Sequence, residues 1–352
     1  MTYSKEEENL IVLASIEELS DSVRYKLLFG CKNDEDRQNY LKTAPQGVYN
    51  IVRDKFSDSA YRDRVLKNLE DKGIECVTYF SPLYPENLKN TDAPPIVLYC
   101  KGNAGLLKSN CFSVVGSRRT SASAFALCKK LSGELTAAFT VVTGMAEGAD
   151  SAAIEGALPS GKVISVLANG FDYFYPAINR GLIERVAKEG LLITEYPPHI
   201  QPLKYNFPVR NRIIAGLSRG TLVVSAGLKS GALITADYAL EYGRDVFAFP
   251  YSAGIASGAG CNALIKNGAY LTENILDIFG AFGLDLEKSE KAPDLSEDEA
   301  AVLEEIKITG EGFLPAIAQK LNKFTYQLIP VAASLEIKGK IVRLGGNRYS
   351  II

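Results

Sequence analysis

Between residues 111 and 272 the chain alternates short β-branched runs with amphipathic stretches, and this alternation constrains the fold more than any other feature. The runs are "FSVVG" at 112, "TVVTG" at 140, "VISVLA" at 163, "LLITE" at 191, "TLVVSA" at 221, "DVFAFP" at 245 and "AYLT" at 269. Between most of them lie helical patterns such as "SAFALCKKLSGELTAA" and "SAAIEGAL". Strands this apolar need cover on both faces, and a helix between successive strands supplies it. The expectation is an extended Rossmann-like, doubly wound α/β domain built on a parallel sheet, spanning 71–284. The segment beginning at 72, "KGIECVTYFSPLYPENLKNTDAPPIVLYCKGN", leads in with additional strands, its prolines marking turns.

The flanks read differently. Residues 1–70 lack strand signals and repeat apolar residues at helical spacing in "NLIVLASIEEL" and "YRDRVLKNLEDKG", as a small helical domain of the SAM or helix-hairpin kind would. Residues 285–295, "DLEKSEKAPDL", read as a linker. In 296–352 three helical patterns precede two β-like runs joined at Gly345-Gly346, which predicts a winged-helix domain.

Composition narrows the function classes. No apolar run approaches the ~18–20 residues that cross a bilayer, and "MTYSKEEENL" is not a signal peptide, so a cytoplasmic protein without membrane contact is expected. The six cysteines form no CxxC pair and no zinc spacing, as reduced, mostly buried thiols would. His199 is the single histidine, which disfavours a histidine-based metal site or a Ser-His-Asp triad. No metal, cofactor or catalytic constellation is expected.

Net charge is −2, yet the charges are segregated. Ala93–Gly133 holds Lys101, Lys108, Arg118, Arg119, Lys129 and Lys130 without an acid, and Tyr196–Ala236 holds Lys204, Arg210, Arg212, Arg219 and Lys229 without an acid. A buried α/β core would explain missing acids but not eleven remaining cations. A localised anion-binding face explains both.

In open parallel sheets ligands bind at the carboxyl ends of the strands, where strand order reverses. Four strand ends here are rich in glycine and small polar residues: Gly116-Ser117-Arg118-Arg119, Gly144 to Ser151, Ala168 to Asp172, and Ser225 to Ala236 with Lys229, Ser230 and Gly231. Backbone amides and helix N-termini gathered on one edge suit phosphate. "GALPSGKV" at 156 is not a P-loop: Val163 stands where a magnesium-binding hydroxyl belongs, and the segment runs helix, turn, strand. No GxGxxG follows the first strand, so a dinucleotide site has no support.

The stretch "KYNFPVRNRIIAGLSRG" at 204 sharpens the expectation. Pro208 suits a first helical turn. Arg210 and Arg212, flanking Asn211, then fall near a helix start, where the dipole disfavours cations by a few tenths to ~1 kcal/mol each unless an anion is bound. Helical spacing sets Arg210 on the face of Ile213, Ile214 and Leu217, bracing a pocket from within. Arg212 falls on nearly the opposite side, reaching outward to another phosphate or another chain. Phe207 offers a face on which a base can stack, worth ~1–3 kcal/mol. The alternative places Phe207 in the core and Arg210 in a structural salt bridge.

"VVGSRRTS", "VVTGMAEGADSAA", "NGFDYFYPAIN", "LLITEYPP", "FPVRNRIIAGLS", "SGALITADYALEYGRDVFAFP" and "GCNALIKNGAYL" occur here in the order found in the DNA-processing protein A (DprA/Smf) family. The chain resembles that family from roughly residue 72 to 275. The resemblance implies a protein that binds and protects incoming single-stranded DNA and loads the RecA recombinase in natural transformation, as a homodimer. It places Arg118, Lys204, Phe207, Arg210 and Arg212 at the DNA pocket, with Ser230 and Gly231 on the same edge and Gly116, Ser117, Gly144 and Asn211 beside them. Two positions depart from the family pattern: Glu147 stands for a common arginine, and Ser225 for a common glutamate. The competing enzyme reading is a nucleotide-processing, phosphoribohydrolase-like protein, for which Glu147 or Glu195 is the candidate acid. A scaffold acting only through protein contacts is the third. Over 291–352 eight Lys/Arg balance eight Asp/Glu, which gives the tail no basic DNA-reading face.

Overall fold

A computed structural model of the chain describes residues 3–29, 39–41, 43–44, 46–284 and 295–351. All seven predicted runs are strands: β3 (Cys111–Val115), β4 (Thr140–Thr143), β5 (Val163–Val166), β6 (Leu191–Thr194), β7 (Gly220–Val223), β8 (Asp245–Ala248) and β9 (Tyr270–Leu271). The lead-in adds β1 (Glu75–Thr78) and β2 (Val97–Gly102). Together they form one sheet in the order β1-β2-β6-β5-β4-β3-β7-β8-β9. From β6 to β9 every pairing is parallel, whereas β2 runs antiparallel to β6, with Cys100 opposite Ile193, and β1 antiparallel to β2. The order reverses at β3: β4, β5 and β6 extend to one side, then the chain returns to place β7 on the other.

Among the described residues the front of the chain holds α1 (Lys5–Ser15), α2 (Asp21–Phe29), α3 (Gln46–Ser57) and α4 (Ser59–Asp71). The Ser4/Glu7 capping box starts α1 and the Asp58 side chain caps α4. Leu10, Ile11, Leu28 and Leu69 share one apolar cluster with Cys76, Ile96, Val97 and Tyr99, so the core runs across the boundary expected at residue 70.

Short α5 (Glu86–Lys89) precedes the sheet proper. Helices α6 (Ala122–Leu135), α7 (Ala149–Ala157) and α8 (Arg180–Glu189) follow β3, β4 and β5, and α9 (Asn206–Leu217), α10 (Gly231–Glu241) and α11 (Ala259–Lys266) follow β6, β7 and β8. The first three bury against one face, with Phe112, Val114 and α12 (Ile275–Ala281); the last three bury against the other, with Cys111 and Val115. Alternate residues of β3 thus enter opposite cores, which is why its sequence is apolar apart from Ser113, whose hydroxyl bonds Thr221 Oγ1 on β7.

The linker expected at 285–295 lies outside the described residues except for Leu295. Beyond it α13 (Glu297–Thr309), α14 (Leu314–Lys320) and α15 (Thr325–Ile337) enclose a separate core with a three-stranded sheet. The hairpin at Gly345-Gly346 joins β11 (Ile341–Gly345) to β12 (Arg348–Ile351). A third strand, β10 (Glu311–Phe313), pairs with β12 and was not expected from sequence. Among the described residues no helix is long and apolar enough to cross a membrane.

Candidate nucleic-acid interface

At the reversal point the helices that follow β3 and β7 pass to opposite faces of the sheet, and a cleft of about 450 Å³ opens there. Its lining brings together Gly116, Ser117, Arg118, Phe207, Arg210, Asn211, Ser230 and Gly231, contributed by three separate strand ends and the helices that follow them. Gly116 permits the close packing of this edge, since a Cβ there would come within 2.6 Å of Ala149 and 3.1 Å of the Ser225 amide nitrogen. Ser225, in place of the expected glutamate, ties the two strand ends together: its Oγ accepts from the Ser117 amide at 3.2 Å and shares a hydrogen bond with Thr120 Oγ1 at 3.2 Å. Ser230 caps α10, its Oγ accepting from the Ala232 amide at 3.3 Å. At Gly231 a Cβ would meet nothing within 4 Å, so the helix start faces open space.

Phe207 lies in the first turn of α9 and forms a wall of this cleft and of a smaller cavity of about 40 Å³ behind it. The exposed Arg118 guanidinium lies over its ring, 5.6 Å from the centroid. Tyr175 packs on the ring at 5.3 Å and 56°. The ring is therefore half-buried at the cleft wall rather than in the core. Asn211 donates through Nδ2 to the Gly231 carbonyl at 3.2 Å, holding α9 against the start of α10.

Arg210 lies beneath the cleft, 7% exposed. It donates through Nη1 to the Val166 carbonyl at the end of β5 and through Nε to Asn211 Oδ1. Its counter-charge is Asp150, buried in the first turn of α7, which also accepts the Ala146 amide at 3.1 Å. Burial pushes the Asp150 carboxyl above the usual carboxylate range while Arg210 pulls it back; burial lowers Arg210 while Asp150 pulls it up. Gly144 is the contact point, because a Cβ there would fall 2.4 Å from Asp150 Oδ2 and 2.8 Å from both terminal nitrogens of Arg210. The helix starts at Asn206, two residues before Pro208, so Arg210 stands in the second turn, and its compensation is internal, as in the structural alternative.

Arg212 departs from expectation. It does not reach outward and lines neither cavity: it is 8% exposed and donates through Nη2 to Glu195 Oε2 at 2.5 Å. The wheel separated it correctly from Arg210, but α9 has no solvent side at this position. The face of α9 beyond Arg212 is covered by the lead-in segment, where a Cβ on Gly216 would come within 2.8 Å of Leu88. Burial works against the Arg212 charge, but Glu195 more than offsets it, with Tyr25 and Tyr196 adding, and holds the guanidinium above its ordinary value. Glu195, one candidate acid of the enzyme reading, is thereby engaged away from the cleft. Lys204 is exposed in the turn before α9 and does not line the cleft.

Sequence reasoning missed Asp150 and Tyr175. A signal for the first existed: a lone acid among Ala149, Ser151, Ala152 and Ala153 marks a helix face that will be buried with its charge, and such charges are paired.

Residues 75–283 match the family model described as DNA recombination-mediator protein A. The DNA processing protein DprA of Streptococcus pneumoniae is 42% identical over 200 residues, covering 56% of this chain and 71% of that protein. The X-ray structure of DNA processing protein A from Streptococcus pneumoniae superposes with a TM-score of 0.70 at 32% identity, covering 80% of this chain and 98% of that one. A second solved structure is that of DNA processing protein A from Helicobacter pylori, described as giving insight into its single-stranded DNA binding mode. It superposes with a TM-score of 0.55 at 29% identity, over 59% of this chain and 95% of that one.

Proposed function

Because the chain belongs to the DNA recombination-mediator protein A family, we propose that it binds single-stranded DNA in the strand-end cleft, protects it, and hands it to the RecA recombinase as a homodimer. The observation that carries this reading is the pairing of an exposed cation with an aromatic wall: Arg118 over Phe207, at the mouth of a cleft with an open helix start. Phosphates meet Arg118 and the open α10 start at Gly231, and an unstacked base lies against Phe207. Lys204 meets the strand on its approach. Arg210, Asn211 and Gly144 hold the cleft floor, and Arg212 acts through the fold.

The test is fluorescence anisotropy with an oligo-dT strand and a matched duplex. The single strand is expected to bind more tightly, Arg118→Glu to abolish most of that binding, and Phe207→Ala to weaken it about thirtyfold, the middle of the range for loss of one stacked base. Equal binding by wild type and Arg118→Glu at low salt refutes the reading. Incubation with nucleoside monophosphates is expected to release no free base. Sedimentation tests the homodimer, and RecA filament nucleation on the coated strand tests the hand-off.

A further inference from the structure

Glu147 belongs to the β4–α7 loop, lies exposed, and lines the small cavity behind Phe207 together with Tyr175, Asn169 and Arg118. Among the described residues it enters no ion pair, although three cations, Arg118, Arg119 and Arg210, lie around the two adjoining cavities. An unpaired carboxylate on the small cavity, which shares Arg118, Ala146, Phe207 and Arg210 with the basic cleft, is unfavourable for phosphate. It has a use where a base turns its edge inward.

We propose that Glu147 makes this cleft selective for guanine within single-stranded DNA. The inference rests on the single-strand reading above. A carboxylate presents two acceptor oxygens side by side and no donor. Guanine alone among the four bases offers two adjacent donors, N1–H and the N2 amino group, on its pairing edge. Adenine and cytosine each set an amino donor beside a ring-nitrogen acceptor, which would face the second carboxylate oxygen lone pair to lone pair. Thymine sets its one N3–H between two carbonyl oxygens. A guanine stacked on Phe207 with its pairing edge toward the β4–α7 loop meets Glu147 with both donors, and a base of any other kind leaves a carboxylate oxygen repelled or unmet.

The experiment compares three 15-mers by anisotropy at one salt concentration: all thymine, thymine with guanine at every fourth position, and the same with hypoxanthine for guanine. Hypoxanthine keeps N1–H and lacks the amino group. Wild-type protein is expected to bind the guanine strand about tenfold more tightly than the thymine strand, with hypoxanthine between them. Glu147→Gln, which leaves only one acceptor oxygen, is expected to lose most of that ratio. Glu147→Arg is expected to erase the ratio while tightening the all-thymine complex. Equal affinity of wild type for guanine and thymine strands overturns the selectivity and leaves the single-strand reading standing. No binding of any strand overturns both. A guanine preference that persists in Glu147→Arg assigns it elsewhere and overturns the role of this residue.

Discussion

Arg212 and Arg210 look alike in sequence, but removing Arg212 is expected to cost stability and leave single-strand binding in place. The Arg212–Glu195 pair is buried, its side chains 10% and 14% exposed, with 2.5 Å between Nη2 and Oε2. Arg212→Ala leaves the Glu195 carboxylate in a low-dielectric site without its cation, a loss of about 3–5 kcal/mol for buried pairs. For a cooperative unit of this size each kcal/mol shifts the melting midpoint by roughly 2–4 °C, so the expected drop is roughly 6–20 °C. Glu195→Ala is expected to fall in the same range, because it strands the guanidinium instead. The double replacement Arg212→Met with Glu195→Leu removes both charges and is expected to recover much of the loss. Differential scanning calorimetry on the four proteins compares the stranded charges with the neutral pair. Anisotropy with oligo-dT, run well below the lowest midpoint, is expected to stay within about twofold of wild type. A near-normal midpoint combined with a tenfold weaker complex would refute the structural assignment of Arg212.

Gly144→Ala forces the Asp150 carboxylate or the Arg210 guanidinium to move, and a loss of about 1–3 kcal/mol is expected in denaturant melts. Burial pushes the thiols of Cys76, Cys111 and Cys128 up to about 12 and that of Cys261 up to about 11, and raises Cys100 as well. In a Cys31→Ser background, Ellman's reagent at pH 8 is therefore expected to react with these five only after denaturant is added. In the C-terminal unit, hydrogen bonds from Lys338, Ser334 and the Ser296 amide hold the Glu299 carboxyl down at about 2. Its stabilisation is present above the ordinary carboxylate range near ~4.3 and is lost as pH falls from there through about 2. Methyl NMR signals of Leu303 and Ile306 are expected to report that acid transition, and Glu299→Gln to flatten it.

The parallel sheet was legible because each central strand is buried on both faces and so is rich in apolar and β-branched residues along its whole length, with only small hydroxyls between them. Strand β10 escaped because "EGF" is three residues long and gains its place only by pairing with Arg348–Ser350 of β12. The cleft's location followed from glycine-rich strand ends, and the residues around Gly116, Phe207 and Gly231 do converge there. What local spacing could not supply was the partner of each buried arginine. Asp150 and Glu195 reach Arg210 and Arg212 only through the sheet order, which brings the ends of β4 and β6 beside α9. Helical geometry told the two arginines apart, and it said nothing of what covers each face.

On the proposed reading, exposed Arg118 meets phosphate and the buried Arg210 and Arg212 do not. This difference is tested most directly by the salt dependence of oligo-dT binding, wild type against Arg118→Ala and Arg212→Met. Affinity is expected to fall by roughly 0.7 of a log unit per contacted phosphate for each tenfold rise in salt. The slope is expected to be shallower by about 0.7 in Arg118→Ala and unchanged in Arg212→Met. An unchanged slope in Arg118→Ala, or a shallower one in Arg212→Met, would contradict it.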